Sequence, residues 1–123
     1  MSPLEILEFN DYRFSKGAIG FVYLVECLGL YKIGVTRNIE SRLKSMDTDN
    51  PFKKKLIHCF KSYYYIDIEK CLQDKLRIKN VKNEWFDLSI DDIQTLIKIK
   101  DFTHPSQIAS LYFSENTGMV NIY

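Results

Sequence analysis

Side chains that bind soft metals are scarce in this sequence. It contains two histidines and three cysteines, and no two cysteines form a C-x-x-C pair. The odd number of cysteines and the absence of such pairs argue against both a disulfide framework and a zinc ribbon. Two histidines cannot build a multi-histidine metal site. Any bound metal would therefore have to be a hard cation held by carboxylate and water.

Long apolar runs and a strong net charge are also missing. No apolar segment is long enough to span a bilayer and no secretory leader is recognisable, so we expect no membrane partner. The expected location is the cytoplasm, or the nucleus or a viral factory if the protein is eukaryotic or viral. The net charge is only +1, so any contact with nucleic acid must come from a local basic patch.

Two strand-like segments carry the first candidate functional residues. Residues 20–28 and 30–35 are rich in β-branched and aromatic side chains, and the short junction between them favours an antiparallel hairpin. They bring Tyr23 and Lys32 close together, and Arg42 follows on the next segment. A phenol, an amine and a guanidinium on rigid elements suggest phosphate chemistry, because they offer a proton acceptor and fixed positive charge.

The rest of the chain predicts alternating helices and strands. These are a helix capped by Asn38 that runs to about Met46, a strand at 56–60, an amphipathic helix from about Tyr64 to Leu76, a strand at 83–88, and a helix opened by the capping box Ser89–Asp92. The order indicates an α+β fold with helices on the faces of a small sheet, or a mixed sheet if one connection crosses over.

At 123 residues the chain is long enough for one domain. We expect an N-terminal arm at 1–18, the domain itself at 19–102, and a C-terminal tail at 103–123 that packs on the domain or on a partner. The tail is apolar but irregular, and both a last edge strand and a packed arm fit it.

Six short motifs follow one another across roughly residues 19–90. They are Val22-Tyr23-Leu24, Lys32-Ile33-Gly34, Thr36, Arg42-Leu43, Asn50-Pro51 and Glu84-Trp85-Phe86. None is specific alone, but six in this order are hard to obtain by chance. The set resembles the GIY-YIG nuclease superfamily, in particular its phage and bacterial branch. That resemblance implies a small three-stranded antiparallel sheet flanked by helices.

The resemblance also implies roles for individual residues. Tyr23 would activate the attacking water, Arg42 would stabilise the pentavalent phosphate, and Glu69 would hold a single Mg²⁺ or Mn²⁺. The second tyrosine of the family signature is absent, and Lys32 takes its position. Because neighbouring side chains on a strand face opposite ways, Lys32 and Tyr31 cannot both face the site, and Lys32 is expected inside.

Other side chains are candidates for binding or catalysis. His58, on the third predicted strand, is either a compensating acid or base or a spectator. Glu84 is either a second metal ligand or a polar strand residue. The three consecutive tyrosines 63–65 include candidates for stacking on unpaired bases. A basic patch that contacts phosphates is expected from Arg37, Lys44, Lys53, Lys54 and Lys55.

The sequence thus predicts a metal-dependent endonuclease that hydrolyses phosphodiester bonds, with DNA favoured over RNA. The alternative is a non-catalytic nucleic-acid-binding or protein-interaction domain on the same scaffold. That alternative stays open because this branch often carries a histidine where the chain has Gln73. So small a nuclease would either be weakly specific or gain its specificity from a homodimer or from a partner protein.

Overall fold

The structure, a computed structural model, describes residues 5–48 and 52–118. Its strands are β1 (Ile6–Phe9), β2 (Tyr12–Ser15), β3 (Gly20–Cys27), β4 (Leu30–Thr36), β5 (Lys55–Ser62), β6 (Asn80–Lys82) and β7 (Trp85–Phe86). Its helices are α1 (Ile39–Thr48), α2 (Tyr65–Lys75), α3 (Ile90–Ile97) and α4 (Pro105–Ala109), with a 3-10 turn at Arg77–Lys79. Within the described ranges, no helix is long and apolar enough to cross a membrane. The predicted motif Asn50-Pro51 lies outside them.

The central sheet has five antiparallel strands in the order β5-β3-β4-β7-β6. The expected α+β class is confirmed, but the expected number of three strands is wrong. β6 and β7 are three and two residues long. β7 lies inside the strand predicted at 83–88, whereas β6 is not predicted, because a strand of three residues shows no clear alternation and depends on its pairing with β7.

A two-residue turn joins β3 to β4. Cys27 pairs with Leu30, and the turn residues Leu28 and Gly29 have φ angles of 54° and 82°. Two consecutive positive φ angles match the right-handed twist of a hairpin, and glycine adopts this conformation without steric cost. The predicted hairpin is confirmed, and its register determines which side chains share a face.

The two faces of the sheet pack against different helices. The core face carries the main hydrophobic cluster, where α2, α3 and α4 cover Val22, Leu24, Ile33, Phe60 and Phe86. The α1 face is smaller and carries Tyr23, Val25, Cys59 and Trp85, which pack with Met46 of α1. A fully buried aliphatic or aromatic side chain contributes about 1.5–3 kcal/mol, so the core face supplies most of the stability.

The helices form where spacing and caps predict them. In α2 and the residue after it, Ile68, Leu72 and Leu76 recur every four residues, and all three are at most 1% exposed. Asn38 caps α1, since its Oδ1 accepts the backbone N–H of Ser41 at 3.0 Å. Both hydrogen bonds of the Ser89–Asp92 capping box are present at the start of α3.

The segments outside the central sheet also pack on the core. β1 and β2 form a separate two-stranded hairpin, and Phe14 of β2 is 0% exposed. Beyond His104 the chain forms α4, whose Ile108 is 0% exposed, instead of an edge strand. Pro105 occupies the first turn of α4, where the missing N–H costs nothing.

A buried ion pair joins the 3-10 turn to α3. Lys79 Nζ lies 2.5 Å from Asp92 Oδ2, and the two side chains are 0% and 1% exposed. The same carboxylate oxygen accepts the backbone N–H of Ser89 at 2.9 Å, which closes the capping box. The sequence predicts the capping box but not the pair, because lysines are almost always solvated and nothing local marks Lys79 as buried.

We expect Lys79→Met to lower the free energy of unfolding by about 3–5 kcal/mol, because it leaves the Asp92 charge buried without its partner. Urea unfolding followed by circular dichroism measures the change. The matched control is Arg77→Met, which removes the exposed Arg77–Asp74 pair. The control should cost about 0–1 kcal/mol. Equal losses in the two variants would contradict the structural role of the buried pair.

Candidate functional site

The ring of Tyr23 lies across Gly34 on the neighbouring strand. Tyr23 and Gly34 are directly paired in the β3–β4 register, and Tyr23 is 2% exposed. A Cβ atom at position 34 would fall inside the ring, nearest to Cζ and Oη. Only glycine therefore lets the phenol reach across β4, and this packing requirement explains the glycine of the Lys32-Ile33-Gly34 motif.

Arg42 of α1 contacts the phenol directly. Its Nε donates a hydrogen bond to Tyr23 Oη, with the two atoms 3.0 Å apart. The Asn38 cap sets the start of α1, and the buried Met46 packs the helix against the sheet. Arg42, which lies between them on α1, is therefore close to the ring of Tyr23. The structure thus brings together a phenol and a guanidinium that lie 19 residues apart in the sequence.

Lys32 lies on the same face as Tyr23, as the sequence predicts. In the register Lys32 pairs with Val25 and with Trp85, whereas Tyr31 pairs with Phe86 and faces the core. Lys32 Nζ forms an ion pair with Glu84 Oε2 at 2.8 Å. Glu84 reaches Lys32 because it directly precedes Trp85 on β7.

Charges around Glu84 tie it to Arg42 as well. The hydrogen bond from Lys32 and the charge of Lys32 hold the pKa of Glu84 below its usual range, against a raising effect of burial. The charge of Arg42 lowers the pKa of Glu84 further. Sequence reasoning left the role of Glu84 open between ligand and strand residue. Its place beside Lys32 depends on the pairing of β7 with β4, which no local pattern reveals.

Glu69 of α2 belongs to the same group of charges. Burial raises the pKa of Glu69, the charge of Glu84 raises it further, and Lys32 and Lys70 act in the opposite direction. Glu69 is half-buried. We call Tyr23, Lys32, Arg42, Glu69 and Glu84 the Tyr23 cluster.

The Tyr23 cluster meets at the outer edge of β4. β7 pairs only with Tyr31 and Lys32, so it does not cover this edge beyond Lys32. Here Gln73 Nε2 donates to the carbonyl oxygen of Ile33 at 3.2 Å. Glu69 lies one helical turn before Gln73 on the same side of α2. The ring of Tyr23 crosses Gly34 toward this edge and bonds to Arg42, and the charge of Arg42 acts on Glu84, which in turn acts on Glu69.

The carboxylates of the Tyr23 cluster fit a hard cation better than a soft one. Among residues 5–48 and 52–118, no group of three or more His, Cys, Asp or Glu side chains is arranged to hold a metal ion. Mg²⁺ needs only one or two carboxylates, because it keeps several of its waters. Glu69 and Glu84 are the carboxylates that could supply this number of ligands, and the charge of Glu84 raises the pKa of Glu69.

His58 is not brought to the Tyr23 cluster. It pairs with Leu24, on the core face and on the strand farther from β4. Its Nε2 lies 2.7 Å from the carbonyl oxygen of Ile99, beyond the end of α3, and its ring packs near Phe60. These contacts give His58 a structural role in joining β5 to the segment after α3.

The predicted phosphate-binding residues surround α1 and the start of β5. Arg37 and Lys44 are exposed, the first in the turn before α1 and the second on the helix. Lys53 and Lys55 are exposed and Lys54 is half-buried, and these three lead into β5. Lys55 lies opposite Glu26 in the sheet, so part of its charge is offset locally.

Comparison with known proteins gives one family and one relative. The model of the T5orf172 domain matches residues 20–100. The chain is also 29% identical over 86 residues to "Uncharacterized protein 460R" of Invertebrate iridescent virus 6, over 64% of this chain and 39% of that protein. It thus spans about two fifths of the length of this curated relative. No solved structure matches the chain significantly.

The expected membership of the GIY-YIG superfamily is wrong, because the family model that matches belongs to a different family. The motifs behind that expectation are one to three residues long, and their residue types also serve strand pairing and helix packing. Their order therefore does not separate one α+β family from another. The T5orf172 domain is a nuclease-like, DNA-binding domain found in some endonucleases. Its match covers about two thirds of the sequence, and the chain therefore belongs to the T5orf172 domain family.

Proposed function

We propose that this protein is a metal-dependent endonuclease that hydrolyses phosphodiester bonds in DNA at the Tyr23 cluster. The observation that carries the proposal is the hydrogen bond from Arg42 Nε to Tyr23 Oη, 3.0 Å long, at a sheet edge that also holds two acidic side chains. A guanidinium, a phenol and carboxylates are the groups that a phosphodiester and its attacking water require.

Tyr23 and Arg42 act as a unit in this proposal. The Arg42 N–H orients the phenol oxygen, which accepts the proton of the attacking water while the hydroxyl proton of Tyr23 passes to a phosphate oxygen of the substrate. The planar guanidinium also suits a phosphate geometrically, so Arg42 stabilises the charge that develops on the phosphate oxygens. Lys32 adds positive charge on the same face and holds Glu84 in place through their ion pair.

Glu69 would hold Mg²⁺ or Mn²⁺, with Glu84 as the second carboxylate. When bound, such an ion stabilises negative charge on the leaving oxygen. Burial makes the charge of Glu69 unfavourable in the folded protein. A carboxyl group whose pKa is raised by burial and by a neighbouring carboxylate is a candidate for a functional site. The ion would compensate the charges of both glutamates.

The exposed basic residues would contact the DNA backbone. Arg37 and Lys44 flank Arg42 on the α1 side, and Lys53, Lys54 and Lys55 lie at the start of β5. Contacts to phosphates position the duplex without reading its sequence. Target specificity would then come from a second copy of the chain or from a partner protein, in the cytoplasm or in a viral compartment.

A non-catalytic DNA-binding domain is the second candidate, and two observations favour it. Tyr23 is only 2% exposed, so a substrate has little access to its ring. Lys32 is paired with Glu84, and this pairing reduces the positive charge that Lys32 offers to a phosphate. Both features suit a scaffold that binds DNA without cutting it.

We expect the protein to nick supercoiled plasmid in Mg²⁺ and not in EDTA. Glu69→Gln should reduce the nicking rate about 100-fold or more, because it removes the metal-binding charge. Agarose gels measure the conversion of supercoiled to open-circular DNA. Arg42→Lys should cause a loss of similar size, because an ammonium cannot reproduce the planar contacts of a guanidinium.

Glu8→Gln is the matched control, since Glu8 is an exposed glutamate of β1 outside the Tyr23 cluster. It should leave the nicking rate unchanged. Plasmid binding without any nicking would support the second candidate. If nicking persists in both Glu69→Gln and Arg42→Lys, the reaction takes place elsewhere in the molecule and the proposal is wrong.

The stability of Glu69→Gln should depend on pH in a defined direction. Burial and Glu84 raise the pKa of Glu69 in the folded state, so the folded protein binds this proton more tightly than the unfolded chain does. The wild type therefore loses stability as pH rises above about 4.3, the ordinary pKa of glutamate, through the raised value. Glutamine carries no charge and avoids that loss.

Thermal unfolding should accordingly show a higher melting temperature for Glu69→Gln than for wild type at pH 7. The two proteins should melt alike below about pH 4, where both side chains are neutral. Glu8→Gln again serves as the control and should show no such difference. A Glu69→Gln variant that is less stable than wild type at pH 7 would contradict the raised pKa.

A further inference from the structure

A second exposed cluster lies beyond the end of β5. The rings of Tyr63 and Phe102 pack against each other with centroids 5.5 Å apart and planes inclined by 34°. Tyr63 is 39% exposed and Phe102 is 51% exposed. The two tyrosines that follow Tyr63 are used internally, since Tyr64 is buried in the core and Tyr65 packs against Gly20. Only the first of the three consecutive tyrosines faces solvent.

The backbone holds Phe102 in this exposed position. Its φ angle is +60°, a conformation that side-chain-bearing residues rarely adopt. The N–H of Phe102 donates to the carbonyl oxygen of Lys61 at 2.9 Å, and the N–H of Lys61 donates to Asp101 Oδ1 at 2.9 Å. These bonds fix the turn that carries Phe102, and they hold its exposed ring beside Tyr63.

Two lysines accompany the aromatic pair. Lys16 Nζ lies over the ring of Tyr63, 5.1 Å from its centroid, and it also pairs with Glu5 at 3.5 Å. Lys61 is exposed near the end of strand β5. Its backbone N–H donates to the Asp101 carboxylate. Exposed aromatic rings flanked by ammonium groups are the surface that single-stranded nucleic acids stack on.

The cluster adjoins the row of residues that holds Tyr23. Across the sheet, Lys61 pairs with Phe21 and Phe21 with Thr36, and the next row is Cys59, Tyr23 and Gly34. Side chains two residues apart on a strand share a face and lie roughly 7 Å apart. Lys61 is therefore on the face of Tyr23, one row away, and the aromatic pair lies across β3 from the edge of β4 where the Tyr23 cluster is found. A single strand that reaches both places has to cross β3.

We propose that Tyr63 and Phe102 form a stacking platform for unpaired DNA bases, with Lys16 and Lys61 at the adjoining phosphates. The substrate of the Tyr23 cluster would then be DNA in which a single-stranded segment adjoins the bond that is cut. This inference rests on the proposed function, because it takes DNA as the substrate.

The test measures DNA binding in EDTA, so that cleavage plays no part. The probes are a fluorescein-labelled thymidine oligonucleotide about 15 nucleotides long and a blunt duplex of the same length, followed by fluorescence anisotropy. The double variant Tyr63→Leu/Phe102→Leu removes both rings and keeps apolar side chains. We expect it to weaken binding of the oligonucleotide about tenfold or more and to leave the duplex affinity unchanged.

Tyr112→Leu is the matched control, because Tyr112 is 80% exposed and lies in the C-terminal segment. It should change neither affinity. Three results would each overturn the platform. The first is an equal loss of affinity for oligonucleotide and duplex in the double variant, the second is the same loss in the control, and the third is no oligonucleotide binding by the wild type.

Cleavage in Mg²⁺ separates this inference from the proposed function. If the wild type binds the oligonucleotide through the two rings but cuts no DNA, the nuclease proposal fails and the platform stands. If it cuts blunt duplex and overhang-bearing duplex at the same rate, and the double variant does too, the platform fails and the nuclease stands.

Discussion

The register of β3 against β4 is the constraint on which the candidate site depends. It sets Tyr23 opposite Gly34, so the ring crosses the neighbouring strand where no Cβ obstructs it. It also turns Lys32 to the face of Tyr23. A shift of one residue would send both side chains to the opposite face of the sheet. The turn at Leu28–Gly29, with its two positive φ angles, is what holds this register.

Two acidic side chains show how differently the fold treats buried charge. Asp92 is fully buried, and Lys79 and the capping box at Ser89 satisfy it, so it locks α3 to the 3-10 turn. Glu69 is half-buried, and the charge with the largest effect on its pKa is that of another carboxylate, Glu84. The first arrangement stabilises the fold. The second opposes it, and such an unfavourable charge is understandable where a substrate or cation is bound.

Membership of the T5orf172 domain family agrees with nucleic-acid binding in general. The path that we propose for the nucleic acid joins the basic residues around α1 and at the start of β5 with the Tyr23 cluster at the edge of β4. It then crosses β3 to the ring pair Tyr63–Phe102 beyond β5. His58 lies outside it, because its ring is engaged with the carbonyl of Ile99 on the core face.

The sequence by itself determined the α+β class, the β3–β4 hairpin, the start of α1 at its Asn38 cap, the apolar stripe of α2 and the capping box of α3. Each of these follows from the spacing of apolar residues or from a local hydrogen-bonding side chain, and both act over a few residues.

Local patterns did not determine the family, since the short motifs fit more than one α+β family. Only the tertiary structure decided that β6 forms and that β7 pairs with β4, that Glu84 meets Lys32, that Lys79 is buried with Asp92, and that Phe102 lies against Tyr63. These contacts join residues far apart in the sequence or in strands too short to show a period, and long-range pairing leaves no local trace.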